Sequence, residues 1–264
     1  MTKRIYPSDL TDAEYQFLKK CLPKQRNFGR PPRHTRREIF NAVFYLVRTG
    51  CAWRYLPKEY PPWKTVYHYF RVWRTEGLFK RINKRLRRLV RKRAGREAQS
   101  SAAILDSQSV KTADTARGAV GFDSGKRIKG RKRHILVDTL GLLITVVVHA
   151  ADVSETTGGE LVIRELVRKW WRLRLIWLDG GYFKRLFAAV ESLDRWRKIR
   201  VEQVLRNESR KGFQVLPKRW IVERTFGWLM KNRRMSKDYE TLPETSEAMV
   251  YAAMIRLMLA RLRV

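Results

Sequence analysis

The chain has few residues of the kind that build thiolate metal sites. Its two cysteines, Cys21 and Cys51, lie 30 positions apart with no CxxC, and its four histidines do not cluster. Neither a zinc module nor a disulfide framework fits that spacing, so both cysteines are read as buried thiols of a reducing cytoplasm. Long apolar runs are missing too. The longest, Leu142 to Ala151, is ten residues including His149, well short of the roughly 20 that span a bilayer. The amino terminus shows no h-region, so no signal peptide is expected. No internal repeat occurs, and the only biased segments are basic. The sharpest shortage is of acid: 25 Asp and Glu face 58 Lys and Arg, a net charge of +33. A field of that sign selects polyanionic partners, nucleic acid first and an anionic membrane a weak second. Disorder is excluded by what is present: 44% of residues are hydrophobic, with 9 Trp, 11 Phe and 10 Tyr.

Residues 1–90 read as helical. Ser8-Asp9 and Thr11 offer caps for a helix over Asp12–Cys21, and Thr35 caps one that runs through Arg48 and stops at Gly50. A short helix over Ala52–Leu56 is broken by Pro57, Pro61 and Pro62. Another follows over Thr65–Gly77, with Val66, Phe70 and Trp73 as its apolar stripe and Lys64, His68, Arg71 and Arg74 off it. Helix, short helix, turn, basic helix is the order of a helix-turn-helix module. Phe79–Ala98 reads as a basic helical segment, a linker or DNA-tracking surface rather than a core helix, so the domain boundary falls near it.

From Ala102 the pattern becomes that of strands: Ala102–Val110, then a Gly-rich basic loop over Gly118–Gly130. Lys132–Thr139 and Leu142–Ala151 follow as a hairpin about Leu140-Gly141. Helices over Gly159–Trp171, Phe183–Leu193 and Lys218–Met235 alternate with strands over Arg174–Asp179 and Ile199–Val204. The order β-β-β-α-β-α-β-α predicts one mixed sheet.

Asp106 ends the apolar run Ala102-Ala103-Ile104-Leu105, and Asp179 ends Leu175-Ile176-Trp177-Leu178. A carboxylate at the end of a buried strand is costly unless it is paired, so the repeated arrangement points to a bound cation. If the two strands lie side by side, both acids project from one edge of the sheet. Hard oxygen ligands of this kind suit Mg²⁺. Each Asp, taken singly, also fits the cap of a following turn or helix. A third acid, Glu223, lies in the basic, aromatic stretch Arg219–Trp228. By itself it reads as an i,i+4 partner of Arg219.

Taken together, these segments resemble bacterial insertion-sequence transposases of the DDE type, closest to the insertion-sequence-five family of the four/five group. The resemblance is carried by Ile104-Leu105-Asp106-Ser107-Gln108-Ser109-Val110-Lys111 and by Lys129-Gly130-Arg131-Lys132-Arg133-His134-Ile135-Leu136-Val137-Asp138. It continues in Leu178-Asp179-Gly180-Gly181-Tyr182 and in Trp220-Ile221-Val222-Glu223-Arg224-Thr225-Phe226. Tyr6–Thr11, Arg48–Pro57 and Trp63–Trp73 resemble the amino-terminal helical domain of that family. The implied fold is α+β overall: an all-α helix-turn-helix-like DNA-binding domain over 1–90 with a basic linker to about 100, then an RNase H-like mixed-sheet α/β catalytic domain over 101–264. The implied catalytic and metal-binding triad is Asp106, Asp179 and Glu223, holding a pair of Mg²⁺ ions for which Mn²⁺ substitutes. The 44 positions between Asp179 and Glu223 leave no room for a large β insertion.

The wider group carries a signature around its Glu: Tyr, two residues, Arg, three residues, Glu, six residues, Lys. Arg219 and Glu223 fit it, but the Tyr position is Leu216 and the Lys position is Met230. Lys231 comes one residue late, a shift of about 100° on a helix, while Arg234 returns close to the Glu223 face. Lys231 and Arg234 are both candidates for the basic DNA contact after Glu223, and the resemblance implies that Arg219 contacts DNA as well.

The resemblance implies Mg²⁺-dependent cleavage at insertion-sequence ends and strand transfer into target DNA. The partners would be terminal inverted repeats and target duplex, bound by a homodimer in the cytoplasm. Lys126, Arg127, Lys129, Arg131, Lys132 and Arg133 would track phosphates, and His68, Arg71 or Arg74 would read the repeats. Trp63 and Trp73 read as core, and His134 and His149 as structural. Two alternatives stay open: a non-enzymatic, sequence-specific DNA-binding regulator, and a metal nuclease that cuts without joining.

Overall fold

The computed structural model describes residues 5–23, 32–166, 172–179, 186, 190, 199–204 and 218–263. The chain forms two compact units. One comprises Met1–Gly95, Leu229–Ser236 and Ala248–Val264; the other comprises Arg96–Trp228 and Lys237–Glu247. Among the described residues no helix is long and apolar enough to cross a membrane.

The first unit is helical. Helix α1 (Asp12–Cys21) and helix α2 (Arg36–Thr49) each begin with a capping box, Thr11 with Glu14 and Thr35 with Glu38. In each box the threonine hydroxyl accepts an amide of the first turn and the glutamate accepts the threonine's own amide. Helix α2 stops at Gly50, whose φ of 74° lies in the left-handed region. A 3-10 turn over Trp53–Tyr55 leads to α3 (Trp63–Thr75), which buries Val66, Phe70 and Trp73, as its apolar stripe predicts. Trp73 stacks on Phe40 of α2 at 4.4 Å between ring centroids, which places it in the core.

The basic segment forms the expected helix, α4 (Leu78–Arg93), but it packs in the core instead of serving as a linker. Leu78, Phe79, Ile82, Leu86 and Val90 recur at helical spacing and are buried. The arginines between them hid that stripe, because composition registers charge and not the face that carries it. Buried Glu14 of α1 pairs with Arg256 at 2.8 Å. Arg256 lies in the carboxy-terminal helix α7 (Pro243–Leu262), which the sequence reading did not anticipate.

The second unit is built on a six-stranded mixed sheet. Its strands are β1 (Ala102–Lys111), β2 (Gly121–Asp123), β3 (Ile128–Asp138), β4 (Leu143–Ala150), β5 (Leu175–Leu178) and β6 (Arg200–Gln203). The order is β2-β3-β1-β5-β6, with β4 also pairing with β3. Strand β1 runs antiparallel to β3 and parallel to β5, and β5 runs parallel to β6. This is the single mixed sheet that the order of elements predicted, and it fits the RNase H-like core that the resemblance implied. Two details differ from the sequence reading. The expected Gly-rich loop holds strand β2 and the start of β3, and β3 begins at Ile128 rather than Lys132.

Helix α5 (Glu155–Leu166) starts earlier than predicted. It covers a core of Ala103, Leu105, Leu136, Val162, Ile163 and Ile176. The predicted helix over Phe183–Leu193 lies mostly outside the described residues; Leu186 and Val190 within it are buried in that same core. The β3–β4 hairpin turns as expected. Gly141 takes a φ of 78°, and Asp138 Oδ1 accepts the amides of Leu140 and Leu142, each at 2.9 Å. Helix α6 (Arg219–Met230) ends five residues short of the predicted Met235. There the Asn232 amide donates to the Leu229 carbonyl at 2.9 Å, and a 3-10 turn follows over Arg233–Met235.

Candidate active site

Asp106 stands in the middle of β1, not at its end as the apolar lead-in suggested. What ends beside it is the neighbouring strand. Ala102 pairs with Leu175, Ala103 with Ile176 and Ile104 with Trp177, and β5 stops at Leu178. Each pair is offset by 73 positions, and Asp106 and Asp179 are also 73 apart. Continued by two steps past the last pair, the same register would bring the two carboxylates level. Neighbouring strands lie about 4.8 Å apart, and residues level across a parallel pair share a face. Gly180 and Gly181, read as the turn that follows, lie outside the described residues.

The carboxyl of Asp106 is pushed up to about 6. Burial is the main cause and the nearby charge of Asp179 adds to it, against the Ser107 amide and the positive charges of Arg219 and Lys126. The Ser107 amide donates to Asp106 Oδ1 at 2.7 Å. Asp106 thus carries a negative charge that its surroundings only partly neutralise.

Glu223 is exposed on α6. Arg219, one turn earlier, reaches Asp179 Oδ2 at 3.2 Å and Glu223 Oε1 at 3.9 Å. One guanidinium therefore ties the helix acid to the acid at the strand end. Among the described residues no three His, Cys, Asp or Glu side chains converge as a ready metal site. The donor set nevertheless suits a hard divalent cation. Every candidate ligand is a carboxylate, and the under-neutralised Asp106 is the group that such a cation would relieve. Arg219 now spans Asp179 and Glu223, so Glu223 would reach a cation beside the aspartates only by releasing it.

Beyond Asp106, β1 turns Ser107 to the opposite face. Its hydroxyl donates to Glu155 Oε1 at 3.0 Å, and Lys126 Nζ reaches the same oxygen at 3.3 Å. Glu155 escaped the sequence reading because an acid in the first turn of a helix is ordinary there. Lys126 was grouped with its basic neighbours, and nothing in the sequence marked it as the one whose charge reaches Asp106.

The basic run divides by exposure. Lys126, Arg127 and Lys129 are exposed, as phosphate contact requires. Arg131, Lys132 and Arg133 are buried, and their expected place on a DNA-tracking surface is corrected. Arg131 lies 3.4 Å from Asp238 and donates to the carbonyls of Glu240 and Thr241 at 2.8 Å each. Arg133 reaches Asp238 at 3.9 Å and donates to the Lys237 carbonyl at 3.2 Å. Lys132 pairs with Asp123 at 3.5 Å and donates to the Val153 carbonyl at 3.1 Å. These cations sit on a sheet whose two faces are both covered, so their charge is neutralised internally.

Two further expectations change. Arg219 serves as counter-ion to two acids. Arg234 is buried and donates to the Cys51 carbonyl at 3.1 Å. Both Lys231 and Arg234 lie past the end of α6, so the helical projection that compared them does not apply. Lys231 is exposed. On α3, His68 and Arg71 are exposed and Arg74 is half-buried. The basic, aromatic character of α6 has a local cause: Arg224 lies between the rings of Trp220 and Trp228, at 4.5 and 4.6 Å from their centroids. His134 and His149 are buried with ring centroids 4.8 Å apart. Burial holds both imidazoles below their usual range.

Asp106 within β1 and Asp179 just past the end of the neighbouring parallel β5 place two acids close together on a mixed sheet. Residues 97–258, more than half of the chain, match the family described as transposase DDE domain. Residues 10–83 match the family described as putative transposase of the IS4/5 family. The chain belongs to the DDE transposases. Its function is accordingly DNA transposition, its partner is DNA, and its chemistry is metal-dependent phosphoryl transfer. No curated protein and no solved structure matches it.

Proposed function

We propose that the protein cuts DNA at the ends of an insertion sequence and joins the freed 3′ ends to target DNA, with Asp106, Asp179 and Glu223 as its metal-holding residues. The observation that supports this reading is the 73-position register of β1 and β5, whose continuation past Leu178 would set Asp179 level with Asp106. Mg²⁺ is the expected cation, with Mn²⁺ as its substitute. A bound pair would polarise the attacking oxygen and neutralise the leaving one. The residues of the chain supply the rest. The two aspartates, Asp106 within β1 and Asp179 just past β5, would hold the cation and so orient the scissile phosphate. Arg219 fixes the height of Glu223 along α6. Lys126, beside Asp106, offers positive charge to a phosphate oxygen.

DNA ends would be held by the helical unit. Lys64, Tyr67, His68 and Arg71 are exposed at i, i+3, i+4 and i+7 on α3, a stripe opposite the buried Val66, Phe70 and Trp73. Two ends must meet for joining, so the working form on DNA is a homodimer. The site of action is the bacterial cytoplasm.

The test incubates purified full-length protein and Mg²⁺ with a labelled duplex that carries the inverted repeat flanking its coding region, and with a plasmid target. Cleavage at the repeat and label joined to the plasmid are expected, and both should vanish in Asp179→Asn. Cleavage that survives Asp179→Asn overturns the site. Cleavage without joining, even from a pre-cut 3′-OH end, leaves the nuclease reading. Binding with neither reaction leaves the regulator.

A further inference from the structure

A cavity of about 760 Å³ lies at the far end of β1 from the aspartates' apolar lead-ins, lined in part by Lys111, Phe122, Arg127, Lys129 and Asp114. Its size is within the ordinary range for ligand sites, about 300–1,000 Å³. Phe122 is the unusual member, since it is 55% exposed. A large apolar side chain left in water by a rigid element calls for an explanation.

The pleat of β2 forces Phe122 outward. The strand has three residues: Asp123 is committed to the interior, and half-buried Gly121 packs against Asp152 with no room for a side chain. Gly121 lies so close to Asp152 that a Cβ there would collide with the carboxyl and with the Asp152 amide. Asp123 is buried, accepts the Lys126 amide at 3.0 Å, and pairs with Lys132 at 3.5 Å. Side chains alternate along a strand, so the residue between them must face out. Phe122 is thereby a fixed aromatic surface and not a loose loop residue. Its register partner on β3 is Lys129.

The charge around the ring is biased. Three cations and one carboxylate, Asp114, line the cavity. The backbone is also held in unusual conformations on both sides: Ala119 has a φ of 45° and Arg127 a φ of 52°. Left-handed φ in non-glycine residues is uncommon and gathers at ligand sites.

An exposed ring among cations meets the two halves of a nucleotide, since the base offers a flat face and the backbone offers charge. Duplex DNA offers the charge only, because its base faces are stacked on one another. We propose that this cavity binds unpaired, single-stranded DNA, with Phe122 stacking on a base and Lys111, Arg127 and Lys129 meeting the flanking phosphates. The inference leans on the function proposed above only for the source of the unpaired strand, an opened or cut DNA end. The binding itself needs neither metal nor the aspartates.

The test uses the full chain in EDTA, so that no strand is cut, and follows fluorescence anisotropy of a short labelled single strand and of the matching duplex. Stacking on one aromatic ring is worth about 1–3 kcal/mol. Phe122→Ala should therefore weaken single-strand binding about tenfold and leave duplex binding within about twofold. Phe122→Trp should restore it. Lys129→Gln should weaken it and flatten its salt dependence. An unchanged single-strand affinity in Phe122→Ala, or an equal loss for strand and duplex, overturns the proposal. So does a free mononucleotide that competes as well as the strand, which would assign a nucleotide site instead. Phe122 is exposed, and an unchanged thermal melt of each variant establishes that the fold is intact. A protein that binds strands through Phe122 yet never cuts leaves this inference standing and the proposed function fallen; the reverse result does the opposite.

Discussion

Arg219 Nη1 lies 3.2 Å from Asp179 Oδ2, which joins helix α6 to the end of strand β5 across 40 positions of sequence. The same guanidinium reaches Glu223. It therefore competes with any cation that would draw the two acids together. Arg219→Ala should bind Mg²⁺ or Mn²⁺ more tightly, by about two- to fivefold, because a partly exposed ion pair is worth up to about 1 kcal/mol. DNA cleavage should fall at the same time, since Glu223 loses its guide. Calorimetric titration with the metal and a cleavage assay read the two effects. Weaker metal binding in the variant would show that Arg219 organises the site and does not compete for it.

Asp106 has the clearest pH signature. Its carboxyl is raised from 3.8 to about 6, chiefly by burial. A carboxyl raised in the folded state favours folding while it is protonated. That contribution is complete below about pH 4 and is lost as pH rises through about 6. Asp106→Asn should remove the loss, making the metal-free variant more stable than the parent at pH 7 by about 3 kcal/mol and nearly equal to it at pH 4. Urea unfolding in EDTA at the two values measures this. A variant less stable at pH 7 than at pH 4, relative to the parent, would contradict it.

Metal binding should show the complementary dependence. A cation at Asp106 must displace its proton below pH 6. Stabilisation by saturating Mg²⁺ should be large at pH 7.5 and small at pH 5 in the parent, and nearly absent at both in Asp106→Asn. Thermal melts with and without metal decide it.

The basic run separates stability from DNA binding. Arg131→Met leaves Asp238 buried without its closest cation and should cost about 3–5 kcal/mol of stability. Lys129→Ala should leave stability within about 0.5 kcal/mol and lower the salt slope of DNA binding by about one. Denaturation and salt-dependent binding of the two variants would show opposite profiles. A large loss of stability in Lys129→Ala would place that side chain wrongly.

Gly158 tests the packing of α5 on the sheet. A Cβ there would collide with the Nε2 atoms of both His134 and His149. Both rings are buried, so Gly158→Ala should destabilise by about 1–3 kcal/mol through overpacking. His149→Ala in the same chain should recover part of the loss, as a thermal melt of the double variant would show.

Much of the fold was legible because its signals are local. The caps at Thr11 and Thr35, the stop at Gly50 and the hairpin about Gly141 each act within a few residues. The stripe of Val66, Phe70 and Trp73 and the apolar leads into Asp106 and Asp179 are equally short-range. The burial of helix α4 was missed because its stripe is diluted by arginine, and β2 because Gly and basic residues resemble a loop when their partner strand is unknown. The end of α6 at Met230 depends on a turn that no residue type announces.

The sequence by itself determined which acids stand at the ends of apolar runs, and the 73-position spacing that becomes a strand register. It determined the sign of the partner through an excess of positive charge spread over the chain. Only the tertiary structure decided which cations face outward. Arg131 and Lys129 are two positions apart on one strand, yet the first is buried against Asp238, more than a hundred positions later, and the second meets solvent. It also decided that Arg219 stands between two acids, and that residues 229–236 and 248–264 cluster with the amino-terminal helices. Local sequence sets period and charge, which are properties of neighbours along the chain. Burial and pairing are set by what the rest of the chain brings alongside, and a residue carries no record of that partner.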